Sequence, residues 1–274
     1  MVTWDRTSLR KPSHVSYTNV VHHNFRTVKT SNKMTRLLIV IVPAILFCSC
    51  GQERPKINHE AVDTTSVVDD RIKDTTKILV SELPIKFDST DILLFAIGLV
   101  DLQERGGYNK IGSGSYSDSD IASSYFNSDN LIGNFINIVF QDKSGNEKKL
   151  TDKKIKIRSV NFLREIFKKT KTGYLLYSIS DRDSNGDKEL NHADLEALYI
   201  SKIGGSDFKK LTKELHEFYD WSLIKGENRI YFRTLEDKNK DGELNNKDKF
   251  HYYYIDFSGD KYSVTEYNPV KIFE

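Results

Sequence analysis

Residues 198–212 read LYISKIGGSDFKKLT. A short β-branched and aromatic run meets the pair Gly204-Gly205, where the backbone can reverse at no Cβ cost, and a second short run ends in KKLT. The same layout recurs as NIVFQDKSGNEKKLT at 137–151 and, more weakly, as YYIDFSGDKYSVTEY at 253–267. Another strand-like run precedes each hairpin, at 92–100, 174–180 and 229–235, and a further one follows the first two, near 155–163 and 218–224. Three antiparallel units of up to four strands are predicted, so the fold class is mainly β. Only SVNFLREIFKKT (159–170) and HADLEALYI (192–200) carry any helical character. The third unit lacks a last strand. ILVSELPIKF (78–87) is expected to supply it by closing the sheet around the termini, the alternative being an open sandwich or stack of the same hairpins.

An LYI strand, a glycine turn and KKLT together resemble the blade repeats of TolB-type β-propellers, over about residues 78–270. The resemblance implies about three propeller-blade-like units, a partial or small β-propeller.

Two twelve-residue stretches fall between predicted strands: DSNGDKELNHAD (183–194) and DKNKDGELNNKD (237–248). Eight of the twelve positions agree or nearly so. Oxygen ligands at the first, third and fifth positions, a carbonyl at the seventh, a water-mediating ninth and a carboxylate at the twelfth are what a calcium ion needs from such a loop. In the second loop these are Asp237, Asn239, Asp241, the Glu243 carbonyl, Asn245 and Asp248, with Gly242 at the turn. In the first they are Asp183, Asn185, Asp187, the Glu189 carbonyl, Asn191 and Asp194, with Lys188 in place of the glycine. A shifted register, using Asp181, Asp183, Asn185 and Glu189 with Gly186 at the turn, restores the glycine, and the sequence leaves both registers open. The loops resemble the dockerin variant of the EF-hand, in which aspartate ends the loop. Strands rather than helices flank both, so they read as two calcium clamps set between strands. About three carboxylates per site suit affinities on the order of 10⁻⁴ to 10⁻³ M, those of structural rather than signalling ions.

MTRLLIVIVPAILFCSCG, from Met34, has a short basic start, an apolar run too short to span a bilayer and small residues before Cys50. Phe47-Cys48-Ser49-Cys50 resembles the lipobox of bacterial lipoproteins, which implies that residues 34–49 are a signal peptide and that Cys50 is acylated. Residues 1–33 are expected to be an extended leader or to precede the true start at Met34, and residues 50–77 a flexible polar tether to a β-repeat domain over 78–274. The protein is therefore expected to be lipid-anchored at a bacterial cell envelope, at the outer membrane for preference, facing the periplasm or the exterior.

Seven of the 41 Lys and Arg and one of the 39 acids fall in residues 1–49, so the remaining chain carries about −4. Nucleic acid is not a partner that such a surface favours. Both cysteines sit at the cleavage site, which leaves no disulfide or cysteine zinc site beyond it. No HExxH or GxSxG occurs, and His59, His192, His216 and His251 have no metal-ligand spacing. The expected role is binding or scaffolding without catalysis, for an envelope protein or glycan. Two rivals predict different sites. A glycan-binding accessory lipoprotein would cluster aromatics from the FHYYYIDF run and Trp221, and a hydrolase would place two acids, such as Asp118 and Asp129, near the loop 102–130.

Overall fold

The computed structural model describes residues 55–59, 77–101, 125–127, 129–191, 193–259 and 261–273. In chain order the strands are β1 (Lys77–Ser81), β2 (Leu93–Asp101), β3 (Tyr125–Asn127), β4 (Asn130–Phe135), β5 (Asn137–Gln141), β6 (Glu147–Lys149) and β7 (Lys156–Phe162). After helix α1 (Arg164–Thr170) come β8 (Tyr174–Ser180), β9 (Ala197–Lys202), β10 (Lys209–Lys210), β11 (His216–Ile224), β12 (Arg229–Glu236), β13 (Lys249–Asp256) and β14 (Ser263–Tyr267). They form three antiparallel sheets, ordered β1-β2-β5-β6, β10-β9-β8-β7-β4-β3 and β11-β12-β13-β14.

The six-stranded sheet lies in the middle, and β8 shows why. Its sequence YLLYSIS is buried at every position, the mark of a strand covered on both faces. Alternate residues point to opposite faces of a strand, so Leu175, Tyr177 and Ile179 join Leu94, Ile138 and Phe140 of the first sheet in one core. Tyr174 and Leu176 join Ile230, Phe232, Tyr253 and Ile255 of the third sheet in another. The outer sheets therefore cover opposite faces of the middle one. Helix α1 sets its buried Ile166 into the second core and ends at Lys171, which takes a left-handed conformation (φ 62°).

The three glycine hairpins form as predicted: β5–β6, β9–β10 and β13–β14. Gly205 is required at its turn twice over. Its φ is +76°, and a Cβ there would lie 2.5 Å from the Phe140 ring in the neighbouring sheet.

Two expectations are corrected. The runs near 155–163 and 218–224 do not end the units before them: β7 pairs with β8, and β11 with β12, so each belongs to the following sheet. Residues 78–87 do not close the third sheet either, because β1 pairs with β2 from Lys77↔Asp101 to Ser81↔Ile97. Within HADLEALYI, residues 197–200 are strand β9, because alternation between two cores outweighs weak helical character. Among the described residues no helix is long and apolar enough to cross a membrane.

Candidate metal centre

The loop 183–194 joins β8 to β9 and the loop 237–248 joins β12 to β13. Both repeat one set of side-chain to backbone hydrogen bonds. The first-position carboxylate accepts the sixth-position N–H: Lys188 to Asp183 Oδ2 at 2.7 Å, Gly242 to Asp237 Oδ2 at 2.8 Å. Asn185 and Asn239 accept the N–H of Asp187 and Asp241 at 2.9 and 3.1 Å. Asp187 and Asp241 accept that of Glu189 and Glu243 at 2.7 and 3.0 Å. At the close of each loop, Asp194 accepts from Ser184 and Asn191, and Asp248 from Lys238 and Asn245.

The backbones agree as well. Positive φ occurs at the fourth and sixth positions of both loops: Gly186 (81°) and Lys188 (70°), Lys240 (59°) and Gly242 (83°). This shared pattern favours the register that begins at Asp183. Asp181, first residue of the alternative register, accepts instead from the Tyr199 hydroxyl at 2.5 Å and from Lys210 at 2.8 Å. Burial and that carboxylate push the Tyr199 hydroxyl up from its ordinary range.

A short strap lies between the loops. Within the span expected to be a tether, Ile57 donates its N–H to the Gly242 carbonyl at 2.9 Å and Asn58 donates to the Ser184 carbonyl at 2.6 Å. Lys56 forms a bridge to Glu243, and Ile57 is buried with Leu195, Leu235 and Leu244. Gly242 is needed here for close approach, since a Cβ would stand 2.7 Å from the Ile57 carbonyl oxygen. Next along the strap, His59 Nε2 lies 2.8 Å from Asp237 Oδ2.

Asp237 is nearly wholly buried, at 4% exposure. Burial alone would raise its carboxyl; hydrogen bonds from His59 and from the amides of Gly242 and Lys240 outweigh that and hold it low. The His59 and Gly242 bonds use Oδ2. The other oxygen, Oδ1, is buried and no donor meets it in full hydrogen-bonding geometry. A buried carboxylate oxygen in that state is costly unless a cation serves it, so the donor set fits a hard ion.

One group of three ligand-bearing side chains, His216, Glu236 and His251, brings its atoms within 4.8 Å of one another among the described residues. Strand register builds the histidine group, for His216 lies opposite Glu236, and His251 opposite Thr234. His251 Nε2 is 2.7 Å from Glu236 and its Nδ1 is 2.7 Å from Glu266. Burial first, and His251 next, push His216 down to about 4. Hydrogen bonds from His251 hold both glutamates low. Linear spacing gave no sign of this cluster, because only pairing across β11, β12 and β13 makes its members neighbours.

On the third sheet a groove of about 310 Å³ is lined by Trp221, Tyr231, Tyr252 and Tyr267 together with Asp220 and Arg233. Asp129 is engaged by Arg164 at 2.7 Å. Cys50, His192, Asp118 and the rest of residues 102–124 lie outside the described residues. No protein-family model matches the chain, and no curated protein matches it in sequence.

Proposed function

We propose that this is an exported, lipid-anchored calcium-binding protein of the cell envelope, with a binding or scaffolding role. Its two loops would clamp the strap that follows the anchor. The observation that carries this reading is Asp237 Oδ1, a buried oxygen that no donor meets in full hydrogen-bonding geometry, at the first position of a loop whose sequence already matches a calcium site. Asp237, Asn239, Asp241, the Glu243 carbonyl and Asp248 would hold one ion; Asp183, Asn185, Asp187, the Glu189 carbonyl and Asp194 would hold the other. Bound calcium supplies positive charge that offsets the acids and stiffens both loops against the strap.

Calorimetry and thermal melting test this directly. Two calcium sites are expected, each adding about 2.7 kcal/mol when free calcium is 100 times Kd. Absence of both heat and a melting shift at about 10–100 mM calcium, 100 times the affinities expected of such sites, would overturn the metal assignment. Replacing Cys50 by Ala is expected to release the protein from membranes, and unchanged attachment would remove the lipid anchor from the proposal.

The aromatic groove favours a second reading, a glycan ligand. Flat tyrosine faces can stack on sugar rings, while the Asp220–Arg233 pair keeps further lone pairs and N–H groups for hydroxyls. Oligosaccharides are then expected to give heat of binding in calorimetry, and Tyr252→Ala to abolish it.

A further inference from the structure

The histidine group next to the second loop has the chemistry of a different ion. We propose that His216, Glu236 and His251 bind a divalent transition-metal ion, zinc being the best fit, with Thr234 and Glu266 orienting the two imidazoles.

The ligand set comes first. Two imidazole nitrogens and one carboxylate oxygen within 4.8 Å suit a four-coordinate zinc ion and are a poor match for calcium, which prefers six to eight oxygens. The ring arrangement comes second. A ligating histidine ordinarily has its other ring nitrogen held by a hydrogen bond that fixes tautomer and orientation. Both rings meet this condition. His216 Nδ1 is 3.0 Å from Thr234 Oγ1, which leaves Nε2 for a metal. His251 Nδ1 is 2.7 Å from Glu266, whose carboxylate is in turn anchored by Lys213 at 2.9 Å. The rings are 4.8 Å apart, and both histidines are 9% exposed.

The metal would sit between His251 Nε2 and Glu236, now 2.7 Å apart, in place of the hydrogen bond that joins them. The proton of that hydrogen bond goes to solvent as the bonds from Nε2 and the carboxylate to zinc form. Metal–ligand distances of about 2.0–2.2 Å require that gap to open by roughly half an ångström, and the surface side of the site allows it. Glu236 is the mobile partner, with its side chain 41% exposed. That open side leaves the fourth coordination position to water or to a ligand. Lys249, paired with Glu236 across the strands, and Lys213 are the cations nearest the glutamates, and they balance the second acid, which the metal does not need.

The test uses the full mature chain, stripped with EDTA and then saturated with calcium so that the oxygen loops are satisfied. Zinc is titrated calorimetrically and cobalt by visible absorption. About one equivalent of zinc is expected, together with the intense visible bands of four-coordinate cobalt. His216→Ala and Glu236→Gln are each expected to weaken zinc at least tenfold and to remove the cobalt bands. Glu266→Gln is expected to weaken zinc roughly 10- to 100-fold while keeping the bands, since it orients a ligand and does not supply one. Melting in EDTA shows whether each variant remains folded. Glu236→Gln, at a partly exposed position, decides the matter if His216→Ala does not fold. Absence of cobalt bands in the wild type, or zinc affinity unchanged in Glu236→Gln, would overturn the site; the latter is also the outcome expected if zinc merely occupied the acidic loops.

Discussion

Lys188 and Gly242 hold the same place in two copies of one loop, yet only one is a glycine. A non-glycine residue in the left-handed region is disfavoured by about 1–2 kcal/mol, while glycine gives back part of this through its freer unfolded chain. Lys188→Gly is therefore expected to raise stability by about 0.5–1 kcal/mol, read from the urea midpoint with an unchanged m value. A second single-residue effect lies at Glu217. Burial first, opposed by the Glu196 amide and reinforced by the Glu196 carboxylate, pushes its carboxyl up to about 8. The ordinary carboxyl titrates near 4.5, so between these values the unfolded chain holds fewer protons than the folded one, and stability falls as pH rises. Glu217→Gln keeps an acceptor for the Glu196 amide, which now lies 2.7 Å from Glu217 Oε2. The variant is expected to melt higher than wild type at pH 8 and to match it near pH 4. A wild-type melting temperature that is flat from pH 5 to 8 would contradict this.

Among the elements, the strap has the most to say about the loops. Its central side chain, Ile57, is 5% exposed in a small core with Leu195 and Leu244, each beside or within a loop. Ile57→Ala is expected to cost about 2 kcal/mol or more and to weaken calcium at both loops together, because each loop accepts a backbone hydrogen bond from the strap. Loss at one loop alone would argue that the strap does not join them. The loops were legible in sequence because their oxygen spacing is strict and local. The strap was not: Lys56, Ile57 and Asn58 sit in a polar stretch, and only the placement of residues 184, 193 and 242 around them gives the stretch an address. The histidine cluster was hidden for the same reason, since its members meet only through the register of three strands.

In the molecule as a whole, the middle sheet serves two cores, and β8 runs through both. Leu176, with no exposed surface, faces the third sheet, while its neighbours Leu175 and Tyr177 face the first. Leu176→Ala is expected to cost about 2–5 kcal/mol. It should also leave unfolding a single transition by both fluorescence and circular dichroism, because damage on one side of β8 reaches the other through the shared strand. Two separated transitions would show that the cores melt independently. Hairpins were readable because a glycine turn between two apolar runs is self-contained. The allotment of strands to sheets was not, since β7 and β11 are as close in sequence to the hairpins before them as to the strands they join.

The docking of residues 55–59 also sets a ruler. With an acyl chain on Cys50, five residues separate the membrane surface from Pro55, and a fully extended chain of that length reaches only about 18 Å. The domain would ride close against the bilayer instead of swinging on a leash of some 27 residues. Any pull along that lipid would be loaded first onto the two loops and not onto the sheets. Bound calcium would then set the force at which the strap peels away from the loops.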